Sequence, residues 1–328
     1  MKGGWSAVRI PAMGAAADVR WHGGGATVEA RIRQLFEDLE RCWSRFDPRS
    51  DLSRLNGDPA PVVEVPALLA FAVWRAVRAW ELTEGAFDPT VHDALVAAGY
   101  DRTFDEVAER TSSVGAAVDV VGCSEIHLDA DAATVSRPPG VRLDLGGIGK
   151  GLASDVVAAT LLAEGVDSVV VSVGGDVRVG GRTPSGGWSI PVVDPWDGST
   201  ALTVALDAPG AVVMSSTRRR RWQTDDGRWA HHLIDPRTGR PADRGVAAVL
   251  AVAAEAWWAE SVAKAALVAG MHDGAALLDR LGVEGVLVGD DTVERHVWHA
   301  GRGGRCGQPS ASFSSVASLE REPMPSLP

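Results

Sequence analysis

The chain has 328 residues, 45% hydrophobic and 23% charged, which is enough to bury a sizeable core in one large body or about two domains. Its 43 Asp and Glu outnumber 32 Lys and Arg for a net charge of −11, and an acidic chain with no long basic stripe argues against a nucleic-acid partner. Three scattered cysteines, Cys42, Cys123 and Cys306, form no CxxC pair, so neither a disulfide framework nor a zinc site is expected.

No segment approaches the ~20 apolar residues of a membrane span, and the N-terminus lacks the apolar run of a signal peptide. The expected location is the cytoplasm, without membrane insertion. Alternation predicts strands at AVRIPAM and AADVRWH, the second ending at Gly23-Gly24-Gly25. Helical spacing then takes over from Thr27 to Phe46, with Val28, Ile32, Leu35, Leu39 and Trp43 on one face. Pro48 and Ser50-Asp51 supply the turn and cap of a short helix, and Pro66 and Gly85 bracket a longer one.

Short strands are expected at IHLD, ATVSR and VRLDLGG, followed by a small-residue helix over 151–165. Further strands follow at DSVVVSV, DVRVGG, WSIPVV, TALTVAL and AVVMSS, and Asp226-Gly227 sits at the tip of a hairpin. Helices at 253–269 and 271–282 and a hairpin around Asp290-Asp291 close the pattern. Strands and helices mix without strict βαβ alternation, so the fold class is α+β. After Ala300 the composition falls to Gly, Ser, Pro and charge, giving a domain over 1–300 and a disordered tail over 301–328.

Four segments carry possible chemistry. LDLGGIGKG (143–151) puts glycines and Lys150 at a helix start, where backbone N–H groups can meet an anion; a tight turn into the helix explains it equally well. It is neither a Walker A loop nor a dinucleotide fingerprint. In GAFDPTV (85–91), Asp88 reads first as a turn cap. In HHLIDPRTGRP (231–241), a strand delivers histidines to a type I turn. Glu260 and Lys264 stand four apart on a helix, the spacing of an ordinary surface ion pair. The run Arg218 to Arg221 reads as a solvated strand or turn.

Together and in this order, with Met13-Gly14, FDPRSDLSRLN, VSVGGDVRVGG and the MSS segment, these motifs resemble the FAD:protein FMN transferases, the ApbE-like flavin transferases. The resemblance implies a T-fold-like α+β body and a definite reaction. FMN moves from FAD to a Thr or Ser of a partner protein, AMP leaves, and Mg²⁺ assists. The alternatives are an FAD-binding protein without turnover and an FAD pyrophosphatase.

The resemblance also assigns residues. Met13 and Phe46 would meet the flavin ring, with Phe46 in place of a common tyrosine; Ala86, Phe87 and Asp88 would hold the cofactor. Asp144 would bond a polar edge, and Lys150 the diphosphate. Ser215 and Ser216 would bond phosphate, while His232, Leu233 and Ile234 would line the other wall. His232, Glu260 and Lys264 would be catalytic, and Gly147 and Glu260 would hold Mg²⁺. The family's helix usually carries Asp and, four residues on, Thr at the metal; this chain has Glu260 and Lys264. An ammonium is no metal ligand, so Lys264 is expected to stand in for the cation.

Overall fold

Runs of Val, Ala and Ile build one large sheet whose spatial order is the order of the chain. In the computed structural model, which describes residues 4–108, 115–129, 132–290, 297–300 and 312–313, its strands are β1 (Ser6–Ala12), β2 (Ala15–Gly23), β3 (Val166–Val173), β4 (Asp176–Gly181), β5 (Gly210–Ser216), β6 (Val246–Ala253), β7 (Glu284–Gly289) and β8 (Val297–Ala300). Every neighbouring pair is antiparallel. All eight residues of β6 are buried, because both of its faces are covered.

Residues 24–165 form a long excursion between β2 and β3. They hold α1 (Val28–Trp43), α2 (Asp51–Gly57), α3 (Ala67–Leu82), α4 (His92–Ala97), α5 (Phe104–Ala108) and α6 (Gly149–Ala163). Between β6 and β7 the chain makes α7 (Ala256–Ala269) and α8 (Met271–Arg280). The apolar stripe of α1, from Val28 to Trp43, is buried as its spacing predicts, and Ser50 caps α2 by accepting the Ser53 N–H. Helices α6 and α7 pack on each other and on one face of the sheet. The opposite face is covered by strands Trp188–Val193 and Thr200–Leu206, whose Trp188, Ile190, Val192, Val204 and Leu206 pack on Val212, Leu250 and Val252.

The α+β class is the one expected. One predicted strand is absent: 141–147 runs as an irregular segment. Its backbone groups are satisfied without a ladder, since the Asn56 amide both donates to the Leu143 carbonyl and accepts its N–H, each at 2.8 Å. The Asp144 N–H donates to the Pro89 carbonyl at 2.8 Å. The tip of the final hairpin, 291–296, and the expected tail, except Ser312–Phe313, lie outside the described residues. Among the described residues no helix is long and apolar enough to cross a membrane. Cys42 and Cys123 are buried free thiols.

Candidate functional site

The site is built on the contact between the first turns of α6 and α7. A Cβ on Gly151 would lie 2.4 Å from the Ala256 carbonyl oxygen, so only glycine lets the two helices meet this closely. Each helix start is then capped by a carboxylate of the other. Glu260 Oε2 accepts the Gly151 N–H at 2.7 Å, while Asp155 accepts the N–H groups of Ala256 and Trp257 at 3.0 and 2.8 Å. Burial pushes the Asp155 carboxyl up to about 6, although Arg178 Nε stands 2.9 Å away.

This capping brings four charged side chains together. Lys264 Nζ donates to Glu260 Oε1 at 2.8 Å, and Lys150 Nζ lies 3.6 Å from the same oxygen and bonds Asp176. Glu260 has no exposed surface, which overturns the reading of Glu260 and Lys264 as a solvated pair. Burial raises the Glu260 carboxyl, but the ammoniums of Lys264 and Lys150 more than offset this and leave it below its ordinary value. Burial depresses Lys264, whereas Asp176 and Glu260 overcome burial to raise Lys150.

Both lysines open onto a cleft of two lobes. The narrower, about 270 Å³, is walled by Met13, Phe46, Ala86, Phe87, Asp88 and Tyr100; the wider, about 700 Å³, by Trp188, Ile190, Met214, Ser215 and Ser216. Lys150, Lys264, Arg220 and His232 line both and so form the waist between them. His232 is held far below the ordinary imidazole range by burial and by the charges of Arg220, Lys264 and Lys150, so it is neutral at pH 7. Its Nδ1 and Ser215 Oγ are buried without a protein hydrogen-bond partner.

The hairpin joining β1 and β2 forms the lip. Its two turn residues, Met13 (φ 57°) and Gly14 (φ 63°), both take the left-handed conformation that tight hairpins favour. Met13 pays strain for this and is fixed by its N–H, which donates to Glu40 Oε1 at 2.9 Å. Arg220, also at positive φ (46°), donates to the Gly14 carbonyl at 2.9 Å. On the facing wall the Arg45 guanidinium lies 4.1 Å from the Phe46 ring centroid and 4.5 Å from that of Tyr100. Asp88 caps its own turn through Thr90, accepting from the N–H at 2.7 Å and the hydroxyl at 2.6 Å.

The ApbE family profile matches residues 13–287, a span that contains every one of these groups. The chain belongs to the ApbE family. Among curated relatives, an FAD:protein FMN transferase of Rhodobacter capsulatus is 32% identical over 255 residues, 77% of this chain and 48% of that protein. Another, of Vibrio cholerae, is 28% identical over 77% of this chain and 76% of that one. This chain thus spans about half the length of the first and three quarters of the second. The ApbE protein of Thermotoga maritima superposes with a TM-score of 0.80 at 27% identity, over 90% of this chain and 97% of that one. The Vibrio cholerae flavin transferase ApbE does so with a TM-score of 0.75 at 24% identity, over 91% and 97%.

In this ApbE-family chain the residues singled out from the sequence converge on one place. Met13, Phe46, Ala86 to Asp88, Asp144, Gly147, Lys150, His232 to Ile234 and Lys264 line the narrower lobe, and Ser215 and Ser216 the wider. Glu260 stands behind the lining, reaching the cleft only through the lysines. Sequence reasoning missed Arg45, Tyr100, Asp176 and Glu40, and it set Arg220 aside within a solvated run. Two signals were available: Tyr100 is the single tyrosine, and Asp176 directly follows the Gly174-Gly175 turn.

Proposed function

We propose that this chain is an FAD:protein FMN transferase, moving FMN from FAD to a Thr or Ser hydroxyl of a partner protein and releasing AMP. The names of its relatives support the reading. The observation that carries it is the waist, where Lys150, Arg220 and Lys264 present three cations beside neutral His232, between an aromatic lobe and a wider one. A flavin dinucleotide has matching parts: a ring for Met13, Phe46 and Tyr100, a diphosphate for the cations, and a remainder for the wider lobe.

In the transfer, the acceptor oxygen forms a bond to the flavin-side phosphorus, and the bond from that phosphorus to the bridging oxygen breaks. The bridging oxygen leaves on AMP, its charge facing Lys150 and Arg220. The acceptor proton passes to a base, and His232, uncharged and in the waist, is the imidazole able to take it.

Mg²⁺, where flavin transferases use it, offsets phosphate charge and orients phosphate oxygens. The residues here do not fit it. Mg²⁺ wants hard oxygens at about 2.1 Å in octahedral array. Glu260 gives one oxygen to Lys264 and the other to the Gly151 N–H. The Lys264 stem runs beside Gly147, 3.7 Å from where its Cβ would be. Among the described residues no three of His, Cys, Asp and Glu are grouped to hold a metal.

That same occupied carboxylate favours a second reading, in which FAD is held without transfer. Incubation with FAD and candidate flavoproteins, followed by intact mass and nucleotide analysis, decides. Acceptor carrying covalent FMN with equimolar AMP is the expected result. AMP without adduct identifies an FAD pyrophosphatase, and bound FAD with neither product identifies a binding protein. The buried free thiols Cys42 and Cys123 support a reducing compartment, the cytoplasm, as the place of action.

A further inference from the structure

Two of the three cations of the waist, Lys150 and Lys264, are held in a fixed arrangement by two carboxylates that stand behind its lining, Asp176 and Glu260. Asp176 is anchored by the Met214 N–H at 3.3 Å and bonds Lys150; Glu260 is anchored by the Gly151 N–H and bonds Lys264. Each lysine is therefore carried on a buried carboxylate that is itself tied to backbone. Each is mostly covered but keeps 18% and 12% of its side chain exposed, and each lines both lobes. Arg220 completes the set, positioned by the Gly14 carbonyl. With Asp176 and Glu260 counted, the five groups carry one positive charge before any ligand arrives.

We infer that this chain binds the diphosphate of FAD without a divalent cation, through a resident ammonium pair, Lys150 and Lys264, held by Asp176 and Glu260. The inference rests on the flavin reading of the cleft. A metal ion drawn to Glu260 would have to displace the Lys264 ammonium from a carboxylate with no exposed surface, and then sit beside the Lys150 ammonium. The ammonium pair needs no such exchange. Nζ groups supply several donors each, which suits the four terminal oxygens of a diphosphate. Glu260 and Asp176 are positioning residues in this scheme: they hold the ammoniums and do not touch the ligand.

Titrating FAD into the full chain by calorimetry, in EDTA and again in excess Mg²⁺, tests this, with Mg²⁺ alone as a third titration. The expected result is the same affinity in both buffers and no heat of binding from Mg²⁺ alone. Lys264→Gln should weaken FAD in EDTA by about tenfold, the loss of one charge-assisted bond. Lys264→Arg, which keeps the charge, should still bind FAD in EDTA and guards against a Lys264→Gln variant that does not fold. Binding that appears only with Mg²⁺, or a stoichiometric Mg²⁺ site in the absence of FAD, overturns the inference and leaves the flavin reading standing. Absence of FAD binding in both buffers overturns the two together.

Discussion

Arg45 Nε stands 2.6 Å from Asp144 Oδ2, and both side chains are almost fully buried. The other aspartate oxygen accepts the Gly146 N–H at 2.6 Å, and Arg45 also donates to the Tyr100 carbonyl at 2.9 Å. One ion pair thus ties the aromatic wall to the glycine turn that starts α6. Asp144 is committed to the protein at both oxygens before any ligand is considered.

Removing one partner of a buried pair strands the other charge, at a cost of about 3 kcal/mol or more. Asp144→Ala should therefore lose about that much stability in urea denaturation, and cleft affinity with it. Asp144→Asn retains an acceptor for Gly146 and should lose less. An Asp144→Ala midpoint equal to wild type would show that the pair is not holding the wall.

Asp155 is the second structural carboxylate. Its removal uncaps α7 and leaves two N–H groups, Ala256 and Trp257, without partners in a buried contact. Asp155→Ala should cost about 2–3 kcal/mol by thermal or urea unfolding. Because α7 carries Glu260 and Lys264, the same variant should also weaken FAD more than an equally destabilising change in α8. Equal weakening by both would mean that the cap does not set the lysines.

His232 gives a pH dependence with a definite sign. In the free protein its pKa is far below 6.5, chiefly through burial and then through Arg220, Lys264, His231 and Lys150. A bound diphosphate offsets those cations and makes the protonated imidazole easier to form, so the pKa rises on binding. Protons should be taken up when FAD binds, and more of them as pH falls toward the ordinary imidazole value of 6.5. Calorimetry in buffers of different ionisation enthalpy measures the uptake, and His232→Asn should abolish it.

Phe46, 37% exposed and stacked under Arg45, offers its free face to a ring. Phe46→Ala should weaken FAD by about 1 kcal/mol, read as reduced quenching of flavin fluorescence, while Phe46→Tyr should preserve it. Quenching by Phe46→Ala equal to that of wild type would place the flavin elsewhere.

The sheet and its helices were largely legible because their signals are local. Alternation in β1 and β2 and the 3.6-residue stripe of α1 each follow from burial of one face. The segment 141–147 was not, since its apolar run is that of a strand and only the distant Asn56 shows that a side chain takes the partner's place. The site divides in the same way. Gly151 and Lys150 belong to one compact motif, whereas Arg45, Asp176 and Arg220 act through partners far along the chain, Asp144, Lys150 and Gly14. Spacing placed Glu260 and Lys264 on one helical face; it had no means of showing that the face is buried against α6.

A sheet laid down in chain order also has an order of assembly. From β3 to β7 no connection is longer than that of residues 254–283, but β2 must find β3 across residues 24–165. That interval is the longest between paired strands of the sheet among the described residues, so the β1–β2 hairpin is expected to join last. That hairpin bears Met13, and its Gly14 carbonyl holds Arg220. During refolding, then, secondary structure and tryptophan burial should recover ahead of the cleft, and competence to quench flavin fluorescence should appear in the final phase.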